Sequence, residues 1–583
     1  MLPLTSRVLR PAAVQAIVRG ELKVDCDLLI KNGKLIDGTG APARAADIAV
    51  TDGRITAIAD RGKAASGAKR VIDAAGRVVA PGFVDPHTHY DAALCWDREL
   101  APTSWHGITS VVVGNCGVGL APCRPEAREI ALRDLVNVEG IPYDVLQSGV
   151  TWDWQSFPEF MNAAERRGTA LNVGFYAPLT PFRHFVMREA SMERAATPAE
   201  TAQIRALIKE AVAAGALGFS TTQVPQHLGY GGKPLACQNA SLDEYAAYCG
   251  ALKELGKGVI SIALMRQTSI LADEERALLQ LMVDSGGRPI TFIGLLWRDD
   301  VPEAIDNTLA KLGALGRQRV YAQTSPLPLM RELSLRRPYI YAGFPSWKPA
   351  VKGTAEEQMA LYRDPGFRAR FREDLKLGLS TAGNWSALSV VTVFKASLKR
   401  FEGSSIADIA RELGKDGVDT LLDIGLEDEL KTEFSTAAYN YNVEGVKKIL
   451  KTPGILIGLG DGGAHLDVSC DVGYTSYLLG TWVRERGIMS LEEGVRMITS
   501  APADFLGLHD RGRLVEGKAA DIVIFDETTI AAAKKLHKAS DLPGGASRLM
   551  VRSIGIDYTV VNGEVTWQDG ALTGARAGQI LRS

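Results

Sequence analysis

Apolar residues run through this chain in two alternating rhythms. Short, nearly continuous apolar runs stand at 78–85 (VVAPGFVD), 109–115 (TSVVVGN), 170–176 (ALNVGFY), 216–221 (ALGFST), 258–264 (GVISIAL), 289–295 (PITFIGL), 319–323 (RVYAQ) and 455–460 (ILIGLG). Each has the length and the turn-residue borders of a buried strand. Between them lie stretches with apolar positions at helical spacing, such as 198–214 (PAETAQIRALIKEAVAA) and 241–255 (SLDEYAAYCGALKEL). Eight strands alternating with helices predict an α/β protein whose main body is a (β/α)8, TIM-like barrel.

The two ends have a different rhythm. Residues 27–31, 47–51, 54–59 and 70–72 are short strand candidates separated by NG and DG turns, and ADIVIFD (520–526) and DYTVVNGEVTW (557–567) match them at the other end. These segments predict a small β-sandwich domain built from both chain termini, 25–79 with 505–583, around a barrel at 80–504. Two insertions interrupt the barrel pattern. The longer, about 325–450, is too long for a loop and should hold helices and cover the mouth. The shorter, about 120–168, follows the second strand. Residues 1–24 form an N-terminal extension with Arg7, Arg10 and Arg19 among small and apolar residues. It lacks the continuous apolar core of a secretory signal and reads as transit-like or frayed.

Composition narrows the function classes. Sixty-six basic against sixty-eight acidic residues leave a net charge of −2, which offers no basic footprint for nucleic acid. The apolar runs are too short and interrupted to span a bilayer, so no membrane partner is expected and the cytoplasm is the default compartment. Seven scattered cysteines without CxxC spacing predict neither a disulfide framework nor a zinc finger. The glycine-rich GNCGVG and GDGG lack the Lys-Ser/Thr ending of a phosphate loop, and no serine-hydrolase elbow is present.

The chemistry is expected at the C-terminal ends of the barrel strands. His87-Thr88-His89 follows the first strand, and period-two alternation turns both imidazoles to one side, as half of a divalent-metal site. The plain alternative for such a pair is two histidines in a polar loop. The second strand ends at Cys116 and the eighth at Asp461, so two imidazoles, a thiol and a carboxylate converge. Cys116 is either a metal ligand or a small core thiol. His227, in a Gly/Pro-rich loop after the fourth strand, is a substrate contact or a surface histidine. Arg266, after the fifth strand, is a clamp for a substrate carboxylate or half of an internal salt bridge. His465 caps the next helix, touches substrate or substitutes as a ligand. His106, His184, His509 and His537 receive no role.

These motifs identify the chain as similar to the amidohydrolase superfamily, and within it to the N-acyl-D-amino-acid deacylases. The resemblance rests on PGFVDPHTH (81–89), GITSVVVGNCG (107–117), GALGFST (215–221), GLGDGGAH (458–465), GRLVEGKAADIVIFD (512–526) and VVNGEV (560–565). It implies a distorted barrel beside a two-ended β-sandwich. It implies zinc, or another divalent metal, at His87, His89, Cys116 and Asp461, with Asp461 also moving the proton. Two of the family's zinc-ligand histidines are absent: Leu264 and Ile293–Leu295 stand where the fifth and sixth strands would carry them.

The expected activity is therefore metal-dependent cleavage of a small amide, an N-acyl amino acid above all, at one metal ion. The other readings are a cyclic amide or ester hydrolase using the same site, or a catalytically degenerate relative with an assembly or regulatory role. The expected partner is a small-molecule amide substrate, with the chain acting alone or as a homo-oligomer.

Overall fold

Parallel strands stand where the apolar runs do: Phe83–Asp85, Ile108–Val113, Asn172–Phe175, Gly218–Thr222, Val259–Ala263, Ile290–Ile293, Val320–Thr324 and Ile455–Ile457. The computed structural model describes residues 25–583 apart from 314, 316–318, 342 and 378–382, so the expected extension at 1–24 lies outside the described residues. Every residue of the second, third, fourth and fifth strands is buried. A strand covered on both faces has no solvent side to encode, which is why these segments read as continuous apolar runs.

The strands pair in two arcs. The first three are neighbours in register, Val84 opposite Ser110 and Val111 opposite Val173. The fourth to eighth form the other arc, with Ser261 opposite Thr291 and Ala322 opposite Ile455. Ala177–Pro178, just past the third strand, pairs with the fourth and links the arcs on one side. On the other side the ends of the first and eighth strands meet at a parallel bridge between Thr88 and Gly462, where the His89 N–H donates to the Gly462 carbonyl at 2.7 Å. The strands thus follow one another in a ring.

Helices flank the strands as their patterns predict. Pro198–Ala213 and Leu242–Leu255 each begin at a capping box, Thr197 with Glu200 and Ser241 with Glu244, which satisfies the first free N–H groups. Among the described residues, no helix is long and apolar enough to cross a membrane.

The chain ends meet in a nine-stranded sheet that combines Cys26–Leu35, Arg44–Thr51, Arg54–Ala59, Ala68–Asp73 and Val78–Pro81 with Ile522–Phe525, Ile556–Val561, Glu564–Gln568 and Ala571–Leu572. The expected single strand 78–85 is in fact two. Val78–Pro81 pairs with Ile522–Phe525 in this sheet, whereas Phe83–Asp85 enters the ring. The switch occurs at Gly82, where a Cβ would lie 2.2 Å from Thr109 Cγ2, so only glycine fits there. Two expected boundaries also move. Position 505 falls inside the helix Ser500–Leu506, which packs against Val84, Val112 and Leu217 of the ring. Ile580–Leu581, expected with the terminal β region, pairs instead with Asn172–Phe175.

The long insertion contains helices as expected, including Ala355–Arg363, Pro365–Leu375 and Gly417–Glu427. It also contains an antiparallel sheet of Leu329–Leu333, Glu433–Tyr439 and Leu388–Thr392. Its core is its own: Trp347, Tyr341, Phe367, Phe371, Leu421 and Phe434 form a cluster separate from that of the ring. The helix Val443–Leu450 at its end packs into the ring's cluster through Val446 and Ile449.

Candidate metal centre

Local pattern places the first two donors. Past Phe83–Asp85 the chain bends at Pro86 and returns to a β-bridge at Thr88. Thr88 Oγ1 turns into the wall and donates to the Val112 carbonyl at 2.8 Å, leaving His87 and His89 on the other side with ring centroids 5.2 Å apart. The His87 N–H donates to Asp85 Oδ1 at 3.0 Å, which anchors the turn. Cys116 sits in the tight turn Asn115–Gly117 with φ +54°, and its Sγ lies 3.6 Å from His87 Nε2. From the eighth strand, Asp461 donates its N–H to the His87 carbonyl at 3.2 Å, and its Oδ1 lies 3.7 Å from His87 Nε2 and 4.0 Å from His89 Nε2.

His87, His89 and Cys116 each offer a donor atom, and the three atoms lie within 4.8 Å of one another. Ligands about 2.0–2.3 Å from a tetrahedral ion sit about 3.3–3.8 Å apart, close to the spacings around His87 Nε2. Electrostatics agrees. Burial pushes His87 down to about 4 and holds His89 well below the ordinary imidazole range, so both rings are neutral and keep a lone pair. Burial also raises the Cys116 thiol well above its usual value, with Glu139 and Asp461 adding to the effect. Asp461 is pushed up to about 6 by burial, against the opposing pull of Arg331. The pocket thus disfavours every added negative charge, although its side chains are mostly donors to cations. A divalent ion removes that conflict, and the residues fit one.

The remaining residues singled out in the sequence line the same cavity of about 410 Å³: His227, Arg266 and His465 join His87, His89, Cys116 and Asp461. His227 Nδ1 is 2.9 Å from Thr222 Oγ1. The His465 N–H donates to the Glu139 carbonyl at 2.6 Å, and burial lowers its imidazole to about 3. Arg266 is exposed at the cavity edge, and its guanidinium makes no ion pair among the described residues, which removes the salt-bridge reading. Leu264, 2 % exposed, and Ile293 line the wall where the family's other histidines are expected, so that side of the cavity is apolar, continued by Leu296, Leu329 and Leu459.

Four groups around the site escaped the sequence reading. Glu139, 2 % exposed, ends the helix Arg128–Glu139 and places Oε1 3.3 Å from His89 Nδ1. Gln323, fully buried on the seventh strand, has Oε1 3.1 Å from His87 Nδ1. Arg298 is bound to Asp300, and Arg331 reaches Asp471 at 2.9 Å; both line the cavity. Two signals were present. A carboxylate in a helix's last turn opposes the helix dipole, and a glutamine amid VYAQT interrupts an apolar strand. His184 likewise has a role: it bridges Ser191 Oγ at 2.7 Å and Asp134 Oδ2 at 3.2 Å, and Asp134 also accepts the Tyr230 N–H. This network ties the helix that ends in Glu139 to the loop that carries His227.

Known proteins share this architecture. The amidohydrolase family profile matches residues 70–567. The D-aminoacylase of Alcaligenes xylosoxydans xylosoxydans is 28% identical over 95% of this chain and 97% of its own. The N-acyl-D-aspartate deacylase of the same organism is 30% identical over 95% of both chains. Among solved structures, a D-aminoacylase superposes with a TM-score of 0.64 at 25% identity, over 96% of this chain and 100% of that one. The N-acyl-D-glutamate deacylase of Bordetella bronchiseptica, complexed with zinc and a phosphonate mimic of the tetrahedral intermediate, gives 0.62 at 25% over the same shares. The chain belongs to the amidohydrolase family, on the branch of the D-aminoacylases and N-acyl-D-amino-acid deacylases.

Proposed function

We propose that this protein is a metal-dependent hydrolase that removes the acyl group from an N-acyl amino acid. In this reading the two strand arcs form a distorted (β/α)8 barrel, with the nine-stranded sheet as a second domain and the long insertion over the mouth. One divalent ion is held by His87, His89 and Asp461, with Cys116 completing the set. The observation that carries the reading is the convergence of His87, His89 and Cys116 within 4.8 Å of one another, with Asp461 Oδ1 3.7 and 4.0 Å from the two imidazoles, in a cavity edged by a guanidinium that has no ion pair among the described residues. The deacylases that match the chain, one of them crystallised with zinc, support the choice of metal and bond.

A divalent cation held by these residues would supply Lewis acidity toward water and the scissile carbonyl. Asp461 Oδ1, which faces both imidazoles, accepts the proton of the attacking water and returns it to the departing nitrogen. Arg266 pairs with the carboxylate of the amino-acid half and sets the substrate's direction. Leu264, Ile293 and Leu296 form an apolar wall for the acyl half. Loss of the two histidines thus trades a second metal position for apolar surface.

The test combines metal analysis with a substrate panel. Purified protein should hold about one equivalent of zinc that a chelator removes together with activity, and N-acyl amino acids should turn over faster than cyclic amides or esters. Protein that holds no metal and turns over none of these would overturn the reading.

A further inference from the structure

The two imidazoles at the centre are held from behind, and differently. Each directs Nε2 toward Asp461, and each has its Nδ1 facing a side-chain oxygen: Gln323 Oε1 at 3.1 Å from His87 and Glu139 Oε1 at 3.3 Å from His89. Glu139 comes from the helix of the shorter insertion, outside the ring of strands. It is buried, and among the described residues neither its Oε1 nor His89 Nδ1 has a hydrogen-bond partner elsewhere, so each has only the other within reach; the charged groups acting on Glu139 are Asp461 and Asp91. A carboxylate so placed is costly unless a cation is close by. Its helix is fixed at several points: Asn137 Nδ2 donates to the Gly229 carbonyl at 2.7 Å, Asp134 accepts the Tyr230 N–H at 2.7 Å, and the Glu139 carbonyl accepts the His465 N–H.

We infer that Glu139 is a positioning residue of the metal centre: it accepts the Nδ1–H of His89, fixes the tautomer that presents Nε2 to the ion, and makes that imidazole a stronger donor. The inference rests on the metal reading above. A ligating histidine backed by a carboxylate binds metal more tightly than one backed by a neutral acceptor. In this chain the arrangement strengthens the site that keeps its ligands, His87, His89 and Asp461, where Leu264 and Ile293 leave the other position without imidazoles.

The experiment is titration of metal-free full-length protein with Zn²⁺ against a competing chelator, and with Co²⁺ followed by its visible spectrum. It compares the wild type with Glu139→Gln, Glu139→Asp and His87→Ala. Glu139→Gln should weaken Zn²⁺ binding about 10- to 100-fold and change the Co²⁺ spectrum, while the metal-free variant melts no lower than the wild type. Glu139→Asp, which keeps the charge, should recover part of the affinity. Wild-type affinity in Glu139→Gln, alongside loss in His87→Ala, would overturn the role of Glu139 and leave the metal reading standing. No Zn²⁺ binding by the wild type would overturn the metal reading itself. Should Glu139→Gln fail to fold, Gln323→Glu decides: a carboxylate behind His87 should tighten Zn²⁺ binding, and unchanged or weaker binding refutes the mechanism.

Discussion

Arg266 offers the sharpest test of substrate class. Among the described residues three arginines line the cavity: Arg298 is engaged by Asp300 and Arg331 by Asp471, and the Arg266 guanidinium has no ion pair there. Arg266→Met keeps much of the apolar stem and removes the charge and its donors. A charge-assisted hydrogen bond contributes about 1.5–3 kcal/mol when shielded, and Arg266 is exposed. For a bidentate pair at such a site the loss should be about 1.4–2.8 kcal/mol, or roughly 10- to 100-fold in kcat/KM. The assay measures kcat/KM for an N-acyl amino acid and for its carboxamide, in the wild type and the variant. The loss should appear with the carboxylate substrate, shrink with the carboxamide, and diminish in high salt. Equal losses on both substrates would show that Arg266 shapes the cavity without holding a carboxylate, and the assignment would fall.

Further expectations follow from other parts of the fold. Asp461→Asn should lower kcat by about 10²- to 10⁴-fold with zinc largely retained, as measured by turnover and metal content together; zinc lost in step with activity would leave Asp461 as a ligand alone. His106 is buried between Ser476 Oγ at 3.0 Å and the Val551 carbonyl at 3.2 Å, and burial lowers it to about 4. Because the unfolded imidazole protonates first, the neutral folded form is fully favoured above about pH 6.5 and loses ground as pH falls toward 4. Denaturant melts of the wild type should therefore lose roughly 2–3 kcal/mol between pH 7 and 4.5 that His106→Gln does not lose, and equal losses would refute the assignment. Trp347, fully buried and stacked on Tyr341 at 4.4 Å, anchors the core of the long insertion. Trp347→Ala should cost about 3–5 kcal/mol. Hydrogen exchange should show the loss confined to the insertion, with KM raised because Leu329, Arg331 and Tyr439 line the cavity from it. Protection lost equally in the nine-stranded sheet would show that the insertion is not a separate cooperative unit.

Much of this protein is written in short-range pattern. Continuous apolar runs marked all eight parallel strands, because strands buried on both faces need no polar positions. Period-two alternation was enough to put His87 and His89 on one side, since the rule acts over a few residues. The cysteine and aspartate at other strand ends followed once chemistry was expected there. What the sequence left unsaid depends on distant segments approaching one another. Val78–Val84 looks like one strand, and only the approach of Thr109 to Gly82 shows why the backbone changes sheets there. The length of the long insertion announced a separate element, but its antiparallel sheet came from pairing strands far apart in sequence.

The same distinction separates the donors from their supports. His87, His89, Cys116 and Asp461 are named by residue type at strand ends, whereas Gln323 meets His87 across 236 residues and Glu139 reaches His89 from an inserted helix. Neither type nor spacing marks such a pair. The engagement of Arg331 was equally a tertiary matter, since Asp471 lies 140 residues away, whereas Arg298 finds Asp300 two residues on. The strands, the placing of His87 and His89 on one side and the family resemblance were legible from rules that operate within a few residues. The ring's closure and the approach of Gln323 and Glu139 to the imidazoles were decided only by packing, because burial and distance do not exist until remote parts of the chain meet.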